Sequence, residues 1–113
     1  MPTIKSSDQV INPSNIAHEF RQIAALKAWQ AYHTPKNLAA AVVVEASELL
    51  AEFQWLTPEQ SFALASDHKQ RVASEVADVV MYLCALCEQS QIDMVAAIRA
   101  KIEFNKQRFT KES

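Results

Sequence analysis

The stretch "VVVEASELLAEFQW", Val42 to Trp55, decides the fold class, because it sets three acidic residues into an otherwise apolar run. Glu45, Glu48 and Glu52 are spaced three and four residues apart. In an α-helix this spacing brings all three within about 60° of one another, so they form one stripe that Trp55 continues. Like charges at these spacings cost an isolated helix roughly 0.2–0.5 kcal/mol per pair. The segment therefore predicts an acidic helix face with a compensating charge nearby, from lysines or a metal ion.

The composition agrees with a helical protein and excludes several functions. The 113 residues contain no glycine, half of them are hydrophobic, and the formal net charge is -2. Without glycine the chain cannot build a P-loop or a dinucleotide fingerprint, in which backbone must approach phosphate closely. A small negative charge gives no general attraction to nucleic acid or to anionic membranes. The composition is typical of a small soluble domain.

Hydrophobic periodicity and capping residues predict four main helices, and therefore an all-α four-helix bundle. Residues 1–13 show no periodicity and are expected to form a flexible arm, and residues 14–110 a single domain. A chain this short buries a modest core, so pairing between copies would add to it. The four main helices are predicted to run from a cap at Ser14 or Asn15 to Tyr32, from Leu38 to Trp55, from His68 to Gln89 after an Asp67 cap, and onward from an Asp93 cap. A short helix from a Thr57 cap to Ser66 is predicted between the second and the third.

The third long helix is expected to turn an apolar side inward and to carry two cysteines. The inward residues are predicted to be Val72, Val76, Val79, Val80, Leu83 and Leu86. Cys84 and Cys87 lie three residues apart, and we interpret them as buried free thiols, because a zinc site would need two further matched ligands. Reduced thiols, together with the lack of a signal-like or membrane-spanning segment, predict a cytoplasmic protein.

A second acidic pair lies on that helix, within "SEVADVVMY". Glu75 and Asp78 are three residues apart and share one face with Tyr82. If this helix faces the first acidic helix, Glu45, Glu48, Glu75 and Asp78 converge. A set of oxygen ligands of this kind selects a hard cation such as Mg²⁺ or Mn²⁺. Glu52 is then a spare acid, and its role stays open.

These motifs resemble a known family. "EASE" at 45–48, a gap of 26 residues, and "EVAD" at 75–78 resemble the ExxE…ExxD signature of the MazG-like all-α nucleoside triphosphate pyrophosphohydrolases. The flanking stretches "AWQAYHTPKNL", "FQW", "DVVMYL" and "KIEFNKQRF" are similar to the dCTP pyrophosphatase branch. The resemblance covers residues 16 to 109, and its motifs occur in the family's order.

The resemblance implies hydrolysis of a (deoxy)nucleoside triphosphate to monophosphate and pyrophosphate, with Mg²⁺ held by the four catalytic carboxylates. It also implies a homodimer or homotetramer. An aromatic slot would hold the base, and basic and amide groups would hold the phosphates. If the slot lies at Trp55 and Tyr82 beside the acids, the α-phosphate reaches the metal first. The predicted substrate-binding residues are Trp29, His33, Lys36, Asn37, Trp55, Tyr82, Lys101, Asn105 and Arg108.

Two other classes of protein are alternatives. A di-iron bundle would need Glu-x-x-His motifs, and neither His18 nor His68 stands in one. A non-catalytic helical interaction module with a solvated acidic face would not need the Trp and Tyr on the acidic stripes. Each aromatic could also be a core residue, and the basic residues a solvated edge.

Overall fold

The computed structural model describes residues 11 to 112, with side chains up to Thr110, and all regular structure in that range is helical. The all-α prediction is therefore confirmed. Residues 1–10 of the predicted arm lie outside the described residues, and Pro13 already begins the first helix. The elements are α1 (Pro13–Leu26), a 3-10 turn (Gln30–Tyr32), α2 (Pro35–Ala51), α3 (Pro58–Ser61), α4 (Ser66–Gln89) and α5 (Met94–Glu112).

Threonine followed by proline starts two of the helices. Thr34 has an extended backbone, and its hydroxyl accepts from the backbone N–H of Asn37 at 3.2 Å. Thr57 and Gln60 form a reciprocal capping box at the start of α3. Proline suits the first helical position because its missing N–H would have no partner there. Helix α2 therefore begins three residues before the predicted Leu38.

Other predicted boundaries of the helices were wrong. The cap of α1 is Asn12, whose side chain accepts from the N–H of Asn15, rather than Ser14 or Asn15. Asp67 lies in the first turn of α4 and does not cap it. Asp93 does cap α5, accepting from the N–H of Ala96 at 3.0 Å. The 57–66 segment ends its helix at Ser61.

Helices α1 and α4 end on residues with a left-handed backbone. Ala28 has φ 57° and Gln91 has φ 56°. Helix ends often adopt this conformation, usually with glycine, because a Cβ atom clashes there. A chain without glycine has no such marker in its sequence, and α1 consequently stops at Leu26 instead of the predicted Tyr32.

Helix α4 is the centre of the packing, with α1 and α2 against it. Five of the described residues are buried, and three of them are alanines: Ala17, Ala24, Leu38, Cys84 and Ala85. The prediction of free thiols is confirmed, with Cys84 buried and Cys87 half-buried. Two of the valines predicted to face inward are exposed in the single chain, Val76 to 44% and Val80 to 39%.

Helix α5 lies largely apart from α1, α2 and α4. Its apolar side, which we call the α5 face, consists of Val95, Ile98, Ile102 and Phe109, and these side chains are 45–56% exposed. The radius of gyration is 17.3 Å, whereas a compact chain of this length has roughly 13 Å. One chain therefore leaves apolar surface uncovered that a bundle would bury. None of the helices in the described range has the length and apolar character needed to cross a membrane.

Candidate active site

The acidic residues of α2 and α4 meet because the two antiparallel helices carry mirrored spacings. On α2, charged residues follow Glu45 at positions 48 and 52. On α4, charged residues precede Asp78 by the same spacings, at positions 75 and 71. Successive levels are thus about one helical turn, or roughly 5 Å, apart. The three levels pair Glu45 with Asp78, Glu48 with Glu75, and Glu52 with Arg71.

We call Glu45, Glu48, Glu75 and Asp78 the carboxylate cluster. One oxygen from each of the first three lies within 4.8 Å of the others. Asp78 does not bring an oxygen that close to all three, although its charge acts on Glu45 and Glu75. The Oε2 atoms of Glu45 and Glu75 are buried and have no hydrogen-bond partner among the residues that the structure describes. Buried oxygens without a donor are costly, so the donor set fits a divalent cation.

Burial and mutual repulsion raise the pKa of two carboxyls in this cluster, Glu45 and Glu75. Burial raises the pKa of Glu45 to about 7, helped by a hydrogen bond to Glu48 and by the charges of Glu48, Asp78 and Glu75. Burial also raises the pKa of Glu75, followed by the charges of Glu48 and Asp78. A cation that binds here must displace a proton at pH values below the raised pKa. Strongly perturbed carboxylates in a group are characteristic of functional sites.

Glu52 stands one turn beyond the cluster and is not a spare acid. Its carboxylate accepts from the Nε of Arg71 at 3.1 Å. His68 places Nε2 at 2.6 Å from the backbone carbonyl of Glu52 and 3.3 Å from its Oε1. Neither Arg71 nor His68 was predicted from the sequence to lie beside Glu52. The mirrored spacing of α2 and α4 was the signal that would have found Arg71.

Three aromatic rings meet at the other end of the cluster. Phe20 of α1 stacks on His33 with centroids 5.3 Å apart and meets Tyr82 edge-on at 4.9 Å. Tyr82 lies one turn beyond Asp78, and burial followed by the charges of Glu45 and Asp78 raises its pKa. We call Phe20, His33 and Tyr82 the ring cluster. Phe20 was not among the residues predicted for the site.

The two tryptophans lie elsewhere. Helix α2 ends at Ala51, so Trp55 sits in the following turn and is 87% exposed instead of continuing the acidic stripe. Within one chain Trp55 follows the Glu52 level while Tyr82 follows the Asp78 level, at opposite ends of the cluster. The single slot expected from Trp55 and Tyr82 is therefore not formed by one chain. Trp29 is 47% exposed and immediately precedes the 3-10 turn.

The predicted phosphate-binding residues are also spread over two regions. Lys36 is exposed in the first turn of α2, and the side chain of Asn37 donates to the carbonyl of Tyr32 at 2.9 Å. On α5, Lys101 lies 5.0 Å from the centroid of Phe104 and the Arg108 guanidinium 5.1 Å from that of Phe109. Asn105 is half-buried in the surface of the same helix. Because α5 does not pack on α2, helix packing does not carry Lys101, Asn105 and Arg108 to the carboxylate cluster.

Comparison with known proteins identifies the family. The MazG-like family model matches residues 40–112, which include all four acids of the cluster and α5. The chain belongs to the MazG-like family. The family expected from the ExxE and ExxD motifs is thereby confirmed.

Individual relatives agree with this assignment. The dCTP pyrophosphatase 1 proteins of rat and mouse are 36% identical over 90 residues, and the human one is 33% identical. Each match covers 78% of this chain and 53% of the relative, so the chain spans about half the length of these curated MazG-like proteins. A crystal structure of a pyrophosphatase from Archaeoglobus fulgidus superposes with a TM-score of 0.78 and 32% identity, covering 89% of this chain and 94% of that one.

Proposed function

We propose that this protein hydrolyses (deoxy)nucleoside triphosphates, with dCTP or a related dNTP as the preferred substrate, to nucleoside monophosphate and pyrophosphate. The observation that carries the proposal is the carboxylate cluster, in which Glu45 and Glu75 each bury an oxygen without a hydrogen-bond partner. The similarity to proteins named dCTP pyrophosphatase 1 supports the substrate class.

The four carboxylates would hold Mg²⁺, with Mn²⁺ as a substitute. A cation at this position supplies charge to neutralise phosphate oxygens and lowers the pKa of water. In the metal-free protein the pKa of Glu45 is about 7, so binding of a cation near neutral pH would release a proton from this carboxyl. Glu48 lies one turn further along α2, and one of its carboxylate oxygens lies within 4.8 Å of an oxygen of Glu45. The two carboxylates would therefore approach a bound phosphate from the same side.

The ring cluster supports a position for the base. Tyr82 is about one turn from Asp78, so a base beside Tyr82 and His33 brings the α-phosphate to the acids before the β- and γ-phosphates. Water then attacks the α-phosphorus and pyrophosphate leaves. Trp29 lies before α2, and Lys36 and Asn37 lie in its first turn, where these residues would contact sugar or phosphate.

A second copy would complete the site and cover the exposed apolar surface. The α5 face leaves four large side chains about half exposed, and exposed patches of this kind mark protein interfaces. We infer a homodimer or homotetramer built on this face. In that assembly Trp55, Lys101, Asn105 and Arg108 of one protomer are available to the carboxylate cluster of its partner, where positive charge stabilises departing pyrophosphate.

A hydrolysis screen of canonical and modified dNTPs with Mg²⁺ tests the substrate class. Carried out in ¹⁸O-water, the same reaction identifies the bond that breaks. We expect the label in the nucleoside monophosphate and no orthophosphate. Label in orthophosphate, with diphosphate as the other product, would contradict attack at the α-phosphorus.

The alternative of a non-catalytic interaction module would require a solvated acidic face. The buried oxygens of Glu45 and Glu75 weigh against it. A module would show neither turnover nor stabilisation by Mg²⁺. The hydrolysis screen, together with thermal unfolding at increasing Mg²⁺ concentration, therefore separates the two functions.

A further inference from the structure

Glu52 has no part in the proposed chemistry, yet two residues of α4 lie within hydrogen-bond distance of it. Arg71 of α4 donates to the Glu52 carboxylate, and His68 of α4 lies within hydrogen-bond distance of the Glu52 carbonyl. Phe53 lies against the His68 ring with centroids 6.3 Å apart. The Glu52 side chain is 21% exposed and that of His68 19%, so both are shielded from water.

At the two neighbouring levels, the residues that face each other across α2 and α4 repel. At the next level Glu48 faces Glu75, and beyond it Glu45 faces Asp78, so every cross-helix pair in the carboxylate cluster is a pair of like charges. Such pairs favour sliding or separation of the helices. The Glu52–Arg71 pair is the attractive level beside them, and a charge-assisted bond from a guanidinium has a defined direction.

We propose that Glu52 and Arg71 are positioning residues, which lock the antiparallel register of α2 against α4 and thereby hold Glu48 and Glu75 at the separation that a shared cation requires. His68 serves the same lock by fixing the carbonyl of Glu52, the residue that follows α2. The proposal makes Glu52 neither a ligand nor the general base, because it lies one turn beyond the carboxylate cluster and its Oε1 accepts from Arg71. The inference rests on the proposed function for the identity of the cation.

The two residues carry opposite charges, and this allows a decisive test. A pure charge effect would make Glu52→Gln weaken cation binding and Arg71→Gln strengthen it. A register lock is broken equally by either change. We therefore expect both single variants and the double variant Glu52→Gln/Arg71→Gln to bind Mn²⁺ about 10-fold more weakly than wild type, in line with losses of supporting residues around metal sites.

Mn²⁺ affinity is measured on the 113-residue chain by calorimetric titration, without substrate. Asp67→Asn is the matched control, because Asp67 is the other partner of Arg71, at 3.6 Å on the same helix, and does not bridge to α2. Its Mn²⁺ affinity should equal that of wild type. Thermal unfolding and circular dichroism should show folded proteins with small losses, since the Arg71 side chain is 54% exposed and an ion pair with an exposed partner adds little stability.

Three results would overturn the inference. Tighter or unchanged Mn²⁺ binding in Arg71→Gln would reduce the pair to a charge effect or make Glu52 a ligand. A raised KM in Arg71→Gln with wild-type Mn²⁺ affinity would make Arg71 a phosphate contact. Loss of kcat in Glu52→Gln alone would make Glu52 the general base. The proposed function fails separately, if the wild type binds Mn²⁺ but hydrolyses no nucleoside triphosphate.

Discussion

At the scale of single residues, the carboxylate cluster is a group whose members differ in their surroundings. Glu45 and Glu75 each bury one oxygen, whereas Glu48 is exposed and lies between them. A protonated Glu45 relieves repulsion in the metal-free protein, and a cation relieves it when bound. The cluster is therefore built for a positive charge that is supplied from outside the chain.

The first prediction concerns the charges of the cluster. Glu48→Gln and Asp78→Asn should each abolish turnover while preserving the helical fold, because each removes a negative charge from the cation site with little change of shape. Steady-state kinetics and circular dichroism measure the two effects. More than about a tenth of wild-type kcat in either variant would contradict the four-carboxylate site.

A second prediction concerns pH. Burial raises the pKa of Glu45 from the ordinary 4.5 to about 7, so the folded metal-free protein binds this proton more tightly than the unfolded chain. The resulting stability is fully present below about pH 4.5 and is lost as pH rises through about 7. In EDTA, Glu45→Gln should therefore have a higher Tm than wild type at about pH 8, and the difference should shrink towards about pH 5.

Thermal unfolding over this pH range tests the prediction, with Glu59→Gln on α3 as a control for the loss of an acidic charge. A difference between wild type and Glu45→Gln that does not depend on pH would contradict it. Excess Mg²⁺ should reverse the order, since the variant loses a ligand and wild type gains the binding free energy.

A third prediction concerns the aromatic residues. His33→Ala and Trp55→Ala should mainly raise KM and weaken the preference between bases, because stacking on a ring contributes roughly 1–3 kcal/mol and does not touch phosphorus. Michaelis kinetics on several dNTPs measure both effects. An unchanged KM and base ranking in both variants would leave these residues with a packing role alone.

At the scale of the helices, the ends of α1 and α4 show how a glycine-free chain stops a helix. Ala28 and Gln91 adopt left-handed backbone angles that cost an L-residue roughly 1–2 kcal/mol. Glycine would remove this cost while losing roughly 0.5–1 kcal/mol of chain entropy. Because the cost of the left-handed backbone is the larger of the two, replacing either residue by glycine should stabilise the protein.

Ala28→Gly and Gln91→Gly should each stabilise the protein, by about 0.5–1 kcal/mol. Chemical denaturation measures the free energy of unfolding. Ala73→Gly, in the middle of α4 and exposed, is the matched control and should destabilise by about 1 kcal/mol. Destabilisation of both end variants would contradict the interpretation of these turns.

At the scale of the whole molecule, α5 lies largely apart from α1, α2 and α4 within one chain. The fifth prediction is that Ile98→Lys and Ile102→Lys shift the protein towards monomer, because each puts a charge into the α5 face. Light scattering measures the mass, and turnover should fall with it if the partner completes the site. Gln107→Lys, half a turn away from Ile98 around the helix, is the control and should leave the mass unchanged. A monomeric wild type would contradict the inferred assembly.

The sequence by itself determined the helical class, the starts of the helices at Thr57 and Asp93, and the two acidic pairs. These features depend on local spacing and on side-chain chemistry within a few residues, which a pattern records directly. The ends of α1 and α2 were not predictable, because Ala28 and Glu52 carry no sequence marker for a helix end.

Only the tertiary structure decided how the elements meet. Residues distant in sequence meet where Glu52 pairs with Arg71 and where Phe20 contacts His33 and Tyr82. The position of α5, largely apart from the other helices, likewise depends on the whole fold. Which residues meet across two helices depends on their register and on the packing of the whole interface. That register is a property of the folded chain, and the spacing of charged residues along either helix alone does not fix it.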